Sequence, residues 1–319
     1  MPVLRRLEEQ SGPAAPGDAA GPALERIIPF TFVPGPALTP DDASALVSQL
    51  ESLYGPFTDL DWLTGGAGVS YHDMVRHVVG ELGPALADVD LAITVDASPD
   101  CRNQSFPAAL LAELLPGAPL QMGVSEQGVA GPFTALRIAH QRLRSGAARR
   151  ALVLIMEQST LPPDDAAVRP TRDVAVALLL GPDGTVAVDP PTITVTRTDP
   201  DSRTDPDSRA AAEADLVVAG AGLTGTPPGT PVVRAPGGHP CAGVWLALAE
   251  ALAGGTSPAG RVLVADVDPV LPYRCAVTLT PSAARPEPPA RDRRPGRART
   301  VDHPPAAEPR PRRPRELVP

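Results

Sequence analysis

The chain has 319 residues, 43% hydrophobic and 20% charged, and at 3% aromatics its core must be built from Ala, Val and Leu. All 28 basic residues are Arg. Ten of them face five acids in Pro281–Pro319 (+5), so the preceding 280 residues carry 18 Arg against 32 acids (−14), an acidic body that repels nucleic-acid phosphates. No apolar run approaches the ~20 residues of a membrane span, and cysteines at 101, 241 and 275 have no paired spacing for a disulfide framework or a zinc site.

Met1–Ala23 is rich in Pro, Gly and Ala and reads as a flexible leader. It carries Arg5 and Arg6 but no apolar segment, so no secretory signal is expected and the cytoplasm is the expected location. Ile27–Val33 is predicted as a strand. Thr39-Pro40-Asp41-Asp42 has the hydroxyl cap, early proline and acids of a helix start, and that helix should reach about Tyr54. A second helix is predicted over Ser70–Ala87, with Ser70 as cap and Asp73 three residues on.

Strands and helices then alternate. Asp90–Val95 is a strand, Phe106–Leu115 a helix and Leu120–Val124 a strand. Gly131–Ser145 is a helix with Phe133, Leu136, Ala139, His140 and Leu143 on one face, and Ala151–Glu157 is a strand. Val174–Leu180 and Thr185–Val188 flank Gly181-Pro182-Asp183-Gly184, which reads as a hairpin turn. Arg197–Arg209 repeats RTDPDS in tandem and reads as a solvated loop. Strands at Asp215–Ala219, Val232–Arg234, Val262–Ala265 and Tyr273–Leu279 follow, with a helix at Ala242–Ala253. From Pro281 onward, 11 Pro in 39 residues read as disorder. The alternation predicts an α/β sheet covered on both faces.

Several stretches resemble the type III ketosynthases (FabH-like enzymes) of the thiolase superfamily. They are IPFTFVPGPALTPDDA (28–43), VDLAITVDASPDCRNQSFPA (89–108), GVSEQGVAGPFTAL (123–136), the helix end, strand and Glu of 144–160, DVAVALLLGPDG (173–184) and 237–279. The resemblance spans roughly Leu24–Thr280. It implies a thiolase-like α/β fold of two similar βα halves in α-β-α-β-α layers, an N-terminal half at 24–190 and a shortened C-terminal half at 191–280.

In such enzymes a cysteine at a strand-to-helix junction takes the acyl group, and a His and an Asn stabilise the enolate of the extender. The cysteine position falls at Val129, or at Gly128 with a one-residue slip, so the nucleophile is missing. Cys101 aligns with an ordinary loop residue, and Cys241 and Cys275 read as small buried residues. The His position falls near Ala219-Gly220-Ala221-Gly222, where there is none. The Asn position falls near Gly238-His239. His239 can line a pocket or be a structural loop histidine; His140 reads as a packing residue, and His72 and His77 as helix-surface residues. Gln127 invites comparison with loading ketosynthases that carry Gln in place of Cys and decarboxylate malonyl units, but it stands two residues early.

The resemblance therefore implies a degenerate subunit that pairs with a Cys-containing ketosynthase homologue, or with itself, and shapes an acyl pocket through Gln127, Gly128, Val129, Phe133 and His239. An acyltransferase or malonyl decarboxylase working through His239 and Gln127 is one alternative. The other is a non-catalytic interaction module whose Arg-rich tail docks an acyl-carrier protein. Acyl-CoA is the small-molecule counterpart. No metal or nucleotide cofactor is implied, since the Gly-rich 219–222 run lacks a third glycine and a following helix.

Overall fold

The computed structural model describes residues 21–282, apart from 67, 103–104, 163–168, 196–209, 227 and 254–259. The leader up to residue 20, the RTDPDS repeat and the tail from 283 lie outside the described residues, so the expectations placed on them are not addressed by it.

The first half contains strands β1 (Ala23–Thr31), β2 (Leu91–Asp96), β3 (Leu120–Ser125), β4 (Ala151–Glu157) and β5 (Val174–Gly181), in spatial order β3-β2-β4-β5-β1. β2 runs parallel to β3 and β4, whereas β5 is antiparallel to both β4 and β1. The second half contains β6 (Val186–Val188), β7 (Thr192–Val195), β8 (Leu216–Ala219), β9 (Val232–Arg234), β10 (Val262–Val267) and β11 (Tyr273–Pro281), in order β9-β8-β10-β11. β6 and β7 both pair antiparallel with β11, and together they take the fifth place, broken at Pro190-Pro191. The parallel and antiparallel pairings repeat those of the first half. The protein is thus an α/β fold of two similar halves.

The repeat extends to single residues. Leu91 pairs with Ala151, and Leu216 with Val262. The preceding Asp90 carboxylate accepts from Arg149 and Arg150 N–H, and Asp215 accepts from Arg261 N–H at 2.7 Å.

Helices α1 (Pro40–Tyr54), α2 (Trp62–Gly65), α3 (Tyr71–Leu82) and α4 (Pro107–Leu114) belong to the first half, as does α5 (Ala130–Arg144); α6 (Gly243–Ala253) belongs to the second. Thr39 caps α1 by accepting from Asp42 N–H at 3.1 Å, and Ser70 caps α3 through Asp73 N–H at 3.1 Å. Layering follows from side-chain alternation. Ala151, Val153 and Ile155 of β4 join α5 and α6 in a central core, where Phe133 and Trp245 stack with ring centroids 5.1 Å apart. Leu152, Leu154 and Met156 face the other way, onto a core with α3 and α4 residues. In β10, Val262 and Val264 face the central core, while Leu263 and Ala265 face a small outer cluster with Ala211, Ala214 and Leu223. Among the described residues, a helical turn at 210–212 and a loop cover that outer face, where α3 and α4 cover the first half.

Four expectations are corrected. β1 begins at Ala23 rather than Ile27, and Ala23 and Leu24 are buried between β5 and β6. The second helix stops at Leu82, because Gly83 takes a φ of +43° and the chain tightens into a 3-10 turn over Gly83–Leu86 that carries Pro84. β5 and β6 do not form a hairpin: the turn carries β6 past β5 to pair with β1 and β11. Gly184 passes so close to the Leu24 backbone that a side-chain carbon would collide with it. β7, in the polar run after Pro190-Pro191, was not expected at all.

No described helix is long and apolar enough to cross a membrane.

Candidate functional site

The two central helices begin at equivalent places. Val129-Ala130-Gly131 leads into α5 and Cys241-Ala242-Gly243 into α6, and Phe133 and Trp245 follow at the same spacing. A helix N-terminus presents unsatisfied N–H groups and a partial positive charge, the natural seat of an anion.

Both seats are occupied from within the chain. Val129 N–H donates to Asp268 Oδ2 at 3.0 Å, and Val270 and Leu271 N–H donate to Oδ1 of the same carboxylate at 2.9 and 2.8 Å. Gly128 turns the chain into α5 with a φ of +52°, and a side-chain carbon there would collide with the Asp268 carboxylate. At the other helix, Cys241 N–H donates to Glu157 Oε1 at 2.5 Å, while Glu157 Oε2 lies 3.2 Å from His239 Nδ1. Glu157 stands six residues beyond Ala151, and Asp268 six beyond Val262, so the register makes the two acids equivalent. The acid at the end of β4 thus caps the second half's central helix, and the acid just past β10 caps the first half's.

The candidate residues distribute around these caps. Val129 is buried, and its amide donates to Asp268. Gln127 is drawn back onto α5, where its Oε1 accepts from Thr134 Oγ1 at 2.8 Å. Phe133 is fully buried against Trp245. Gln127, Gly128, Val129 and Phe133 thus share the entry into α5. His239 belongs to the entry into α6; its side chain is wholly buried and held by Glu157, and its Nε2 has no hydrogen-bond partner among the described residues.

All three cysteines are buried. Burial pushes the Cys241 thiol well up, with Glu157 adding to the effect, and burial and Asp100 push up Cys101. Neither is an activated nucleophile. His140 packs inside α5 as expected. His72 is a correction: it is buried, with Nε2 2.7 Å from the Ser105 carbonyl oxygen, because the β2–α4 loop folds over the start of α3. His77 lies edge-on to Phe30 and Phe32.

A cleft of about 250 Å³ opens beside the ends of β2 and β3, lined by Tyr71, Asp96, Ser98, Asp100, Phe106 and Glu126 among others. Asp100 is fully engaged, accepting from Tyr71 and Arg102 N–H and from Gln158 Nε2. Asp96 is buried, and its pKa rises from 3.8 to about 6 through desolvation, with Glu126 and Asp100 adding to it against a Ser125 hydrogen bond. Asp266 is likewise raised to about 6, chiefly by burial and further by Asp268. Among the described residues, no three of His, Cys, Asp and Glu stand together as ligands for a metal.

Sequence reasoning did not single out Asp268 or the capping role of Glu157. The signal was available in the echo of AGPFTAL (130–136) by AGVWLAL (242–248), which aligns the two helix starts and hence the two acids.

Over 82% of its length the chain has the thiolase-like α/β fold of the ketosynthase III structures it matches. OleA from Xanthomonas campestris matches with a TM-score of 0.55 at 16% identity, over 82% of this chain and 98% of that one. The 3-oxoacyl-[acyl-carrier-protein] synthase III from Aquifex aeolicus VF5 matches at 0.52 and 16%, over 82% and 100%. A tetronic acid condensing enzyme matches at 0.52 and 18%, over 81% and 99%. No family model and no curated protein matches the sequence.

Proposed function

We propose that the chain is a catalytically degenerate ketosynthase-like subunit of fatty-acid or polyketide-type biosynthesis. It pairs with a Cys-bearing ketosynthase of the same fold, or with a second copy of itself, and shapes the acyl pocket. The observation that carries this reading is the start of α5. Val129 stands where the resemblance places the nucleophile, and its amide is already bonded to Asp268. Acyl transfer at that point needs a nucleophile and free donors for a developing oxyanion. The buried, unactivated thiols elsewhere agree with it.

A pairing surface supports the partner role. β3 is the outermost strand of its sheet, with Leu120 and Met122 46% and 38% exposed; beside it Phe106, at the start of α4, is 79% exposed. An edge strand with free main-chain groups and apolar side chains is suited to strand addition by a second sheet. Acyl thioesters are the substrate class to test in the partner: an OleA structure holds lauric acid and lauroyl-CoA, and other neighbours are synthases acting with acyl-carrier protein.

The test is to express the chain with a candidate Cys-bearing ketosynthase, measure the mass of the species by size-exclusion with light scattering, and assay acyl transfer from acyl-CoA. A mixed species with altered acyl-chain preference is expected. A stable monomer that transfers acyl groups alone would overturn the reading.

One observation favours the enzymatic alternative. Glu157 holds Nδ1 of His239, and Nε2 has no partner among the described residues, the arrangement of an oriented general base. Its complete burial counts against it. Mass spectrometry of products after incubation with acyl-CoA or malonyl-CoA, wild type against His239→Ala, decides between the two readings.

A further inference from the structure

The free edge of the sheet is apolar along its length and acidic at one end. Leu120 and Met122 of β3 are exposed, as are Leu114 of α4 and Phe106 just before that helix. At the end of β3 this band runs into the cleft of about 250 Å³, which Phe106, Ser125 and Glu126 all line. The parallel strands β2 and β3 send their connections to opposite faces, β2 to α4 and β3 to α5. Such a divergence leaves a crevice at the carboxyl ends of the strands, and the cleft lies there. Its walls carry the carboxyls of Asp96, Asp100 and Glu126. Asp100 is taken up by its three donors, whereas neither Asp96 nor Glu126 has an ion-pair partner among the described residues. Arg102, on the same wall, pairs instead with Asp42 at 3.4 Å and donates to the Pro36 carbonyl at 3.2 Å.

Charge decides what can cover such an edge. A second copy would lay its own β3 and α4 against it, and from Asn103 to Leu136 the sequence has no Arg, Lys or His but two acids, Glu113 and Glu126. Self-pairing would take the carboxyls of the cleft out of water and bring them no counter-charge. We propose that the β3 edge is a docking surface for a cationic partner: a homologue of the same fold whose own edge brings an Arg or Lys side chain into the cleft beside Asp96 and Glu126. A second copy of this chain is disfavoured there. This rests on the proposed function and deepens it, because it selects the mixed pair over the self-pair. The apolar band supplies contact area to either partner, and the acids supply the preference between them.

The isolated full chain carries two of the tests. In sedimentation equilibrium, Asp96→Asn/Glu126→Gln should self-associate about tenfold or more tightly than wild type, and adding Met122→Glu should undo the gain. A double variant no tighter than wild type overturns the proposal. Acetyl-arginine amide stands in for the partner's cation, with acetyl-citrulline amide as its uncharged isostere. In amide NMR the arginine probe should shift residues 96–98 and 125–126 saturably, and the citrulline probe should bind about tenfold or more weakly. Equal responses to the two probes also overturn it. Glu126 is exposed, so Glu126→Gln alone repeats both measurements should the double variant not fold. In co-expression with a candidate Cys-bearing ketosynthase, the double variant should pair about tenfold or more weakly than wild type. A chain that takes the guanidinium yet pairs with no such ketosynthase would refute the partner role alone; pairing untouched by the double variant would refute the cationic contact alone.

Discussion

Asp96→Asn is expected to stabilise the protein at neutral pH and to flatten its acid dependence. The carboxyl sits at the end of β2, 8% exposed, beside Glu126 and Asp100, with Tyr71 and Cys241 also in its field. In the folded chain its pKa is pushed up from the ordinary 3.8 to about 6. Between those values the native state holds the proton more tightly than the unfolded chain does. Stability from this group is therefore complete below pH ~4 and is lost as pH rises through ~6, after which it is flat. The difference of about 2 units, at ~1.4 kcal/mol each, corresponds to about 3 kcal/mol. Water in the adjoining cleft screens part of it, leaving ~1–3 kcal/mol. Asn keeps a hydrogen bond to Ser125, because the hydroxyl can either donate or accept. Urea unfolding of both proteins at pH 4.5, 5.5, 6.5 and 7.5 should show a gap in favour of the variant that is small at pH 4.5 and full at 7.5. A gap independent of pH, or a wild type that gains on the variant as pH rises, would refute the reasoning.

Glu157→Ala leaves Cys241 N–H and His239 without their acceptor in a dry interior, and should cost about 3–5 kcal/mol in urea unfolding, with Glu157→Gln costing less. Phe133→Ala and Trp245→Ala each remove a ring from the central contact and should cost ~3–5 kcal/mol, and the double variant should cost less than the sum of the two. Met122→Glu places a charge on the free edge of β3; it should abolish association, read by light scattering, while shifting stability by less than ~0.5 kcal/mol.

What the sequence makes legible is what depends on neighbouring residues. The apolar runs of β2, β4 and β5 are fully buried strands, and Thr39 and Ser70 bond the N–H groups that their spacing implies. Pairing partners were not legible. β6 is three residues long, and nothing in Val186–Val188 says that it lies beside β1 rather than β5. The site's decisive contact is between a backbone amide and a side chain 139 residues away, and a backbone donor has no residue type to betray it. The imidazole of His72 reads as a surface group on a helix until the loop carrying Ser105 is folded over it.

The duplication gives this fold two central helix starts, those of α5 and α6. A fold with two helix N-termini at its centre must satisfy both sets of orphan donors, by a ligand, by water or by itself. This chain does so by exchange: β4 of the first half ends in the acid that caps α6, and the acid that caps α5 follows β10 of the second. Neither cap can form unless both halves are folded and seated together, so each acid stabilises the whole body rather than its own half. An acid serving as a permanent cap holds donors that a substrate would need, and an unoccupied donor set at the same place would weaken the junction. Stability at the centre and acyl chemistry at the α5 entry thus compete for the same N–H groups. Held by Asp268 and Glu157, those groups make the polar centre of the fold a clasp between its halves.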